Sequence, residues 1–94
     1  MTMSPAGKTS ALFTRAEVRN TIDVAGLLKA ADYTREQLMD LAAQNDAAFD
    51  RCMFADSLGR IQRYTDKQFA AYDLAAEEAA AIRDTFADWQ QQLL

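Results

Sequence analysis

Histidine is absent from this 94-residue chain, and cysteine and proline each occur only once. Without histidine the chain lacks the most common general base and the most common zinc ligand, which argues against most hydrolase and metalloenzyme mechanisms. The single cysteine, Cys52, leaves no partner for an internal disulfide, and its apolar neighbours predict a buried, unreactive thiol. We therefore expect a protein that is not an enzyme and that holds no catalytic residues, no metal and no cofactor.

Long apolar runs are also missing, so no segment is expected to span a membrane. The first ten residues lack the apolar stretch of a signal peptide, and a cytoplasmic location is the resulting expectation. Half of the residues are nevertheless apolar and 26% are charged, a balance that is typical of a folded domain. A single domain of this size buries a modest core, so a partner or self-association would add stability.

Positive charge is scarce in most of the chain, whose net charge is −4. Proteins that bind duplex DNA usually present a basic face, so this balance argues against direct binding of DNA or RNA. The carboxylates that form the predicted acidic face are Asp40, Asp46, Asp50, Glu77, Glu78, Asp84 and Asp88. Such a face can imitate a phosphate backbone, which makes an acidic inhibitor of a nucleic-acid-binding protein one alternative function.

One six-residue pattern occurs three times, at 13–18, 33–38 and 64–69. Each copy has an aromatic residue, a threonine, two further residues, a glutamate or glutamine, and an apolar residue. This order is typical of a capping box with a hydrophobic staple, in which the threonine and the Glu or Gln side chains cap the first turn. The three copies predict helix starts at 15, 35 and 66.

Apolar residues follow each start at a spacing of three to four, which indicates helices, and no alternating run indicates a strand. We predict an all-α three-helix bundle with helices at about 15–31, 35–62 and 66–92. The helical domain would cover 14–94 behind a flexible tail at 1–13. The last helix has one candidate break near Asp73, whose side chain is a candidate N-cap.

The predicted helices have unequal lengths, and this difference points to a binding surface. The second and third would each run roughly 40 Å and the first about 25 Å, so the first cannot cover the whole hairpin. An uncovered apolar end usually indicates a partner protein or a second copy. The aromatic residues at that end are the candidate partner contacts, namely Phe49, Phe54, Phe86 and Trp89.

The last third of the chain also carries a family-like set of residues, namely Arg63-Tyr64, Asp66, Phe69, Tyr72-Asp73-Leu74, Glu77-Glu78, Ala81-Ile82 and Arg83-Asp84. Residues 63–93 thereby resemble the small LigA-type subunit of LigAB ring-cleavage dioxygenases. That subunit is non-catalytic and caps the active site of a larger, iron-bearing subunit. The family has a Gly-Leu-Thr turn where this chain has Asp73-Leu74-Ala75, and no functional residues are carried over from it.

Taken together, these features predict a small helical protein that acts by binding a larger protein as a regulator, an inhibitor or an accessory subunit. A homodimer is the alternative assembly. The acidic mimic and the dioxygenase accessory subunit are the alternative functions.

Overall fold

The computed structural model describes residues 4–30 and 33–94, and every regular element in these two ranges is a helix. The all-helical prediction is confirmed for this part of the chain, but six helices are found there instead of the predicted three. In chain order they are α1 (Pro5–Arg15), α2 (Val18–Lys29), α3 (Arg35–Asn45), α4 (Arg51–Ile61), α5 (Asp66–Ala70) and α6 (Ala76–Leu93).

Two of the three predicted helix starts are confirmed, those of α3 at Arg35 and α5 at Asp66. The Thr34 hydroxyl accepts a hydrogen bond from the Gln37 amide at 3.1 Å, and the Gln37 side chain accepts one from the Thr34 amide at 2.8 Å. Thr65 and Gln68 form the same reciprocal pair, at 3.3 and 2.8 Å. These capping boxes satisfy amide groups that a helix start leaves without intrahelical acceptors.

The predicted start at 15 is wrong, because Thr14 lies in the last turn of α1. Its hydroxyl donates to the Ser10 carbonyl instead of capping a new helix. The chain turns at Ala16, whose φ of 51° is left-handed, and α2 begins at Val18. The Asn20 side chain caps this start by accepting from the Glu17 amide at 3.1 Å. The predicted end of this helix at residue 31 lies outside the described residues.

The segment expected to be a flexible tail forms most of α1, apart from residues 1–3, which are not described. Ser4 caps the helix by accepting from the Gly7 amide at 3.1 Å, and Pro5 occupies the first helical position. A proline fits there because that position needs no amide donor and because its φ is already helical. Leu12 and Phe13 are buried, so α1 is part of the core.

The predicted helix at 35–62 is divided in two, because short acidic side chains form a turn after Asn45. The Asp46 carboxylate accepts from the Ala48 amide at 2.9 Å. Asp50 then caps α4, accepting from the Cys52 and Met53 amides at 2.7 and 3.2 Å. Aspartate favours such positions because its carboxylate reaches backbone amides two or three residues ahead.

The candidate break near Asp73 is confirmed, although Asp73 is not the N-cap. Its φ is 62°, its amide donates to the Ala70 carbonyl at 2.9 Å, and the Leu74 amide donates to the Phe69 carbonyl at 3.4 Å. This pair of bonds around a left-handed residue is a Schellman motif, which ends helices. The N-cap of α6 is Ala75, whose amide donates to the Glu78 carboxylate at 3.2 Å.

The core lies where α1 packs on α3 and α2 and where α4 packs on α6. Its fully buried members include Leu12, Leu38, Leu58 and Ile61. The greatest extent of the molecule is 34 Å, shorter than the hairpin expected from two uninterrupted helices. In the described part of the chain, no helix has the length and apolar character needed to cross a membrane.

Candidate functional site

Three of the four aromatic residues predicted as partner contacts are core residues. Phe54, Phe86 and Trp89 are fully buried, and Trp89 packs against both of the others, with ring centroids 5.1 Å from Phe54 and 5.8 Å from Phe86. Phe49 is partly buried, with its ring centroid 5.0 Å from that of Phe13. The prediction relied on two long helices that the short helix predicted at 15–31 could not cover. The breaks at 45–50 and 71–75 remove that mismatch.

The predicted acidic residues lie on the surface, except that Asp46 is half-buried. They are divided among α3, the turn before α4, and α6, and several have local structural roles. Asp50 and Glu78 cap helices, and Asp88 forms an ion pair with Arg35 at 2.7 Å. Arginines therefore interrupt the acidic surface, which weakens its likeness to a continuous phosphate backbone.

One surface ion pair is bidentate and joins α3 to α4. The Arg51 guanidinium donates to both Glu36 carboxylate oxygens, at 2.9 and 2.7 Å, and it also lies 3.7 Å from Asp40. The hydrogen bonds from Arg51 lower the pKa of Glu36, and those to Glu36 raise the pKa of Arg51. Both side chains are largely exposed, so we interpret the pair as a surface ion pair that links the two helices.

A groove of about 850 Å³ opens between α2 and α6, and it is not among the sites predicted from the sequence. Helix α2 packs mainly on α1 and touches α6 only lightly, which leaves the space between them unfilled. The apolar residues of the lining are Ile22, Ala25 and Leu28 from α2, and Leu74, Ala81 and Ile82 from α6 and the turn before it. Concave apolar surfaces of this size are typical of binding sites.

Gly26 lines this groove, and nothing in the described part of the chain explains why it is a glycine. A Cβ built at Gly26 would have no neighbour within 4 Å among the described residues. At Gly59 in α4, by contrast, a Cβ would lie 2.7 Å from the Gln90 side-chain nitrogen of α6. A glycine within a helix costs roughly 1 kcal/mol relative to alanine. At Gly26 that cost keeps open a surface that an outside group can approach closely.

The charged residues of the groove differ in sign between its ends. Lys29 lies in the last turn of α2, the end from which the chain leads to Arg35. The ion pair of Arg35 with Asp88 places this basic end beside the second half of α6. Glu77 and Glu78 lie in the first turn of α6, about 15 Å from Asp88 along the helix axis. The groove therefore has a basic end and an acidic end.

The sequence contained one signal for this groove, the width of the apolar face on α2. Val24 is fully buried in the core, whereas Ile22, Ala25 and Leu28 are only partly buried. An apolar face wider than one neighbour can cover implies a second neighbour. The sequence could not show that α6 lies too far away to fill that role.

The prediction that the one thiol is buried is wrong. Cys52 is exposed in the first turn of α4, because the apolar face of that helix is formed by Phe54, Leu58 and Ile61 instead. Within the described ranges, no three histidine, cysteine or acidic side chains come close enough together to hold a metal ion.

Comparison with known proteins assigns no relative to this arrangement of helices and groove. No family model matches the chain, and no curated protein and no solved structure matches it significantly.

Proposed function

We propose that this chain is a non-catalytic protein that acts by binding another protein, and that the groove between α2 and α6 receives an amphipathic helix of its partner. The observation that carries this proposal is an apolar groove with an open glycine in its wall. A helix bound in a groove buries one apolar face and leaves its polar face in water, which suits an open cleft better than an enclosed cavity does.

Gly26 supports a helix as the occupant, because a position without a side chain lets another backbone approach closely. The charged ends support a defined orientation, since a bound helix would place acidic residues near Lys29 and basic residues near Glu77. The partner would be a larger protein that the chain regulates, inhibits or completes. An exposed single thiol at Cys52 suits a reducing compartment, and we place this activity in the cytoplasm.

The test is site-specific crosslinking in cells that produce the chain. A diazirine analogue of lysine, which keeps the ammonium group, replaces Lys29 at the groove or, as the matched control, exposed Lys67 in α5. We expect illumination to join one defined protein to the chain from Lys29 and not from Lys67. Equal crosslinking from both positions, or no adduct from Lys29, would contradict the proposal.

An accessory subunit of a ring-cleavage dioxygenase is a second candidate, and the turn before α6 favours it. Asp73 adopts the left-handed conformation at the position where the family has glycine, and Ala75 is the N-cap where the family has threonine. The chain therefore still forms this turn, although Asp73 and Ala75 differ from the family pattern. Under this proposal, the protein crosslinked from Lys29 is a larger, histidine-containing dioxygenase subunit, and an adduct with any unrelated protein would contradict it.

A further inference from the structure

The distribution of charge along the groove is self-complementary. Lys29 lies at one end, beside the ion pair of Arg35 with Asp88, and Glu77 and Glu78 lie at the other. A two-fold axis through the middle of the groove would set the basic end of one copy against the acidic end of a second copy, and would do so twice. A partner with a uniformly charged surface would be repelled at one of the two ends.

The apolar part of the groove fits the same symmetry. Helices α2 and α6 from two copies would form a four-helix layer in which the partly buried residues Ile22, Leu28 and Ile82 become a shared core. Gly26 lies on the groove wall between the two charged ends, where α2 of one copy would cross α2 of the other. The missing side chain permits that approach, whereas one chain alone gives no reason for it.

We infer that a second copy of this chain occupies the groove, forming a two-fold symmetric dimer through α2 and α6. The inference rests on the proposed function, since it names what covers the proposed binding groove while no larger partner is bound. It also implies regulation, because a dimer covers the surface that a larger partner would need. Self-association and binding of another protein through this groove therefore exclude one another.

The first experiment measures the solution mass of the purified full chain by light scattering over a dilution series. We expect twice the mass of one chain, falling to that of a single chain on dilution. Gly26→Glu should raise the dimer dissociation constant by more than about 100-fold, because it places a charged side chain where the two α2 helices would cross. The matched control Ala43→Glu, on an exposed face of α3, should leave the dimer unchanged.

A charge exchange tests the two-fold arrangement itself. Lys29→Glu and Glu77→Lys should each weaken the homodimer roughly tenfold, because every dimer then contains two repulsive pairs. Mixed together, the two variant chains should form a heterodimer of wild-type strength, since all of its end-to-end pairs are attractive. Glu78 is left in place because it caps α6.

Three results would overturn the inference: a monomer at every concentration, a dimer that Gly26→Glu leaves intact, or a mixture of charge variants that associates no better than each alone. None of these would decide the proposed function. That function fails separately, if Lys29 crosslinks to no protein other than a second copy of the chain, whereas a monomer that crosslinks to a different protein refutes only the second copy as the occupant.

Discussion

Helix α6 meets α4 and α2 in contrasting ways. Against α4 it forms a filled interface, where Trp89 and Phe86 are fully buried and Gln90 lies against Gly59. Against α2 it leaves an open groove, where a Cβ at Gly26 would meet no atom of the described residues within 4 Å. The same helix thus supplies the core on one side and an unfilled apolar surface on the other. The buried aromatic residues stabilise the fold at the first interface, and under our proposal the unexplained glycine marks the binding surface at the second.

The filled interface should respond most strongly to mutation. Trp89→Ala removes a fully buried indole between Phe54 and Phe86, and we expect a loss of about 3–5 kcal/mol in the free energy of unfolding. Urea denaturation followed by circular dichroism measures this loss. Trp89→Asp should fail to fold, contrary to what a contact residue would show. A loss below about 1 kcal/mol for the alanine variant would mean that the α4–α6 interface is not the core.

The two glycines should differ when each is replaced by glutamate. Gly59→Glu has to push aside the flexible end of the Gln90 side chain, and we expect a loss of about 1 kcal/mol. Gly26→Glu meets open space and replaces a poor helix former, so the isolated chain should be as stable as wild type or more stable by up to about 1 kcal/mol. Thermal unfolding at low protein concentration compares the two. Equal losses at both positions would remove the contrast between the interfaces.

Replacement of Asp73, the residue with left-handed backbone before α6, should raise the stability of the chain. Asp73→Gly relieves a conformation that is costly for a residue with a Cβ, and we expect a gain of about 1 kcal/mol in the free energy of unfolding. Ala80→Gly, on an exposed position within α6, is the control and should cost about 1 kcal/mol. If Asp73→Gly destabilised the chain as Ala80→Gly does, the assignment of a Schellman motif at Asp73 would be wrong.

The ion pair between α3 and α4 should produce the smallest effect, and it depends on pH. The pKa of Glu36 is lowered in the folded chain by its hydrogen bonds with Arg51. Its contribution is therefore present above the usual pKa of a glutamate and is lost as the pH falls through the lowered folded value. Glu36→Gln should be slightly less stable than wild type at neutral pH and equal to it in acid. A difference that persists in acid, or is insensitive to salt, would exclude the ion pair as its cause.

Local signals were predictable from the sequence, and spacing between distant helices was not. The caps at Thr34 and Thr65 depend on residues within one turn, so their pattern alone was sufficient. The copy of the capping pattern at Thr14 does not start a helix, because α1 already begins after its cap at Ser4 and still includes Thr14. The apolar stripe of the last predicted helix continued across Asp73, because Phe69, Tyr72 and Ala76 follow a helical spacing there, so its periodicity did not show the break.

The groove could not be predicted, because it depends on the distance between α2 and α6, which are separated along the chain by residues 30–75. The partly buried residues Ile22 and Leu28 follow the same helical spacing as core residues, and only the arrangement of the other helices distinguishes them. The burial of Phe54 and Trp89 could not be predicted for the same reason. Their apolar character was evident from the sequence, but the helices that cover them were not.

The most direct test of the groove as a binding surface combines the crosslinker at Lys29 with substitution of its glycine. The diazirine analogue of lysine is placed at position 29 in the wild-type, Gly26→Glu and Ala43→Glu chains, and the yield of the protein adduct is measured after illumination. We expect the adduct to disappear only in the Gly26→Glu chain, while the helical circular dichroism and the melting temperature of that chain are retained or raised. An adduct of unchanged yield in the folded Gly26→Glu chain would contradict this expectation.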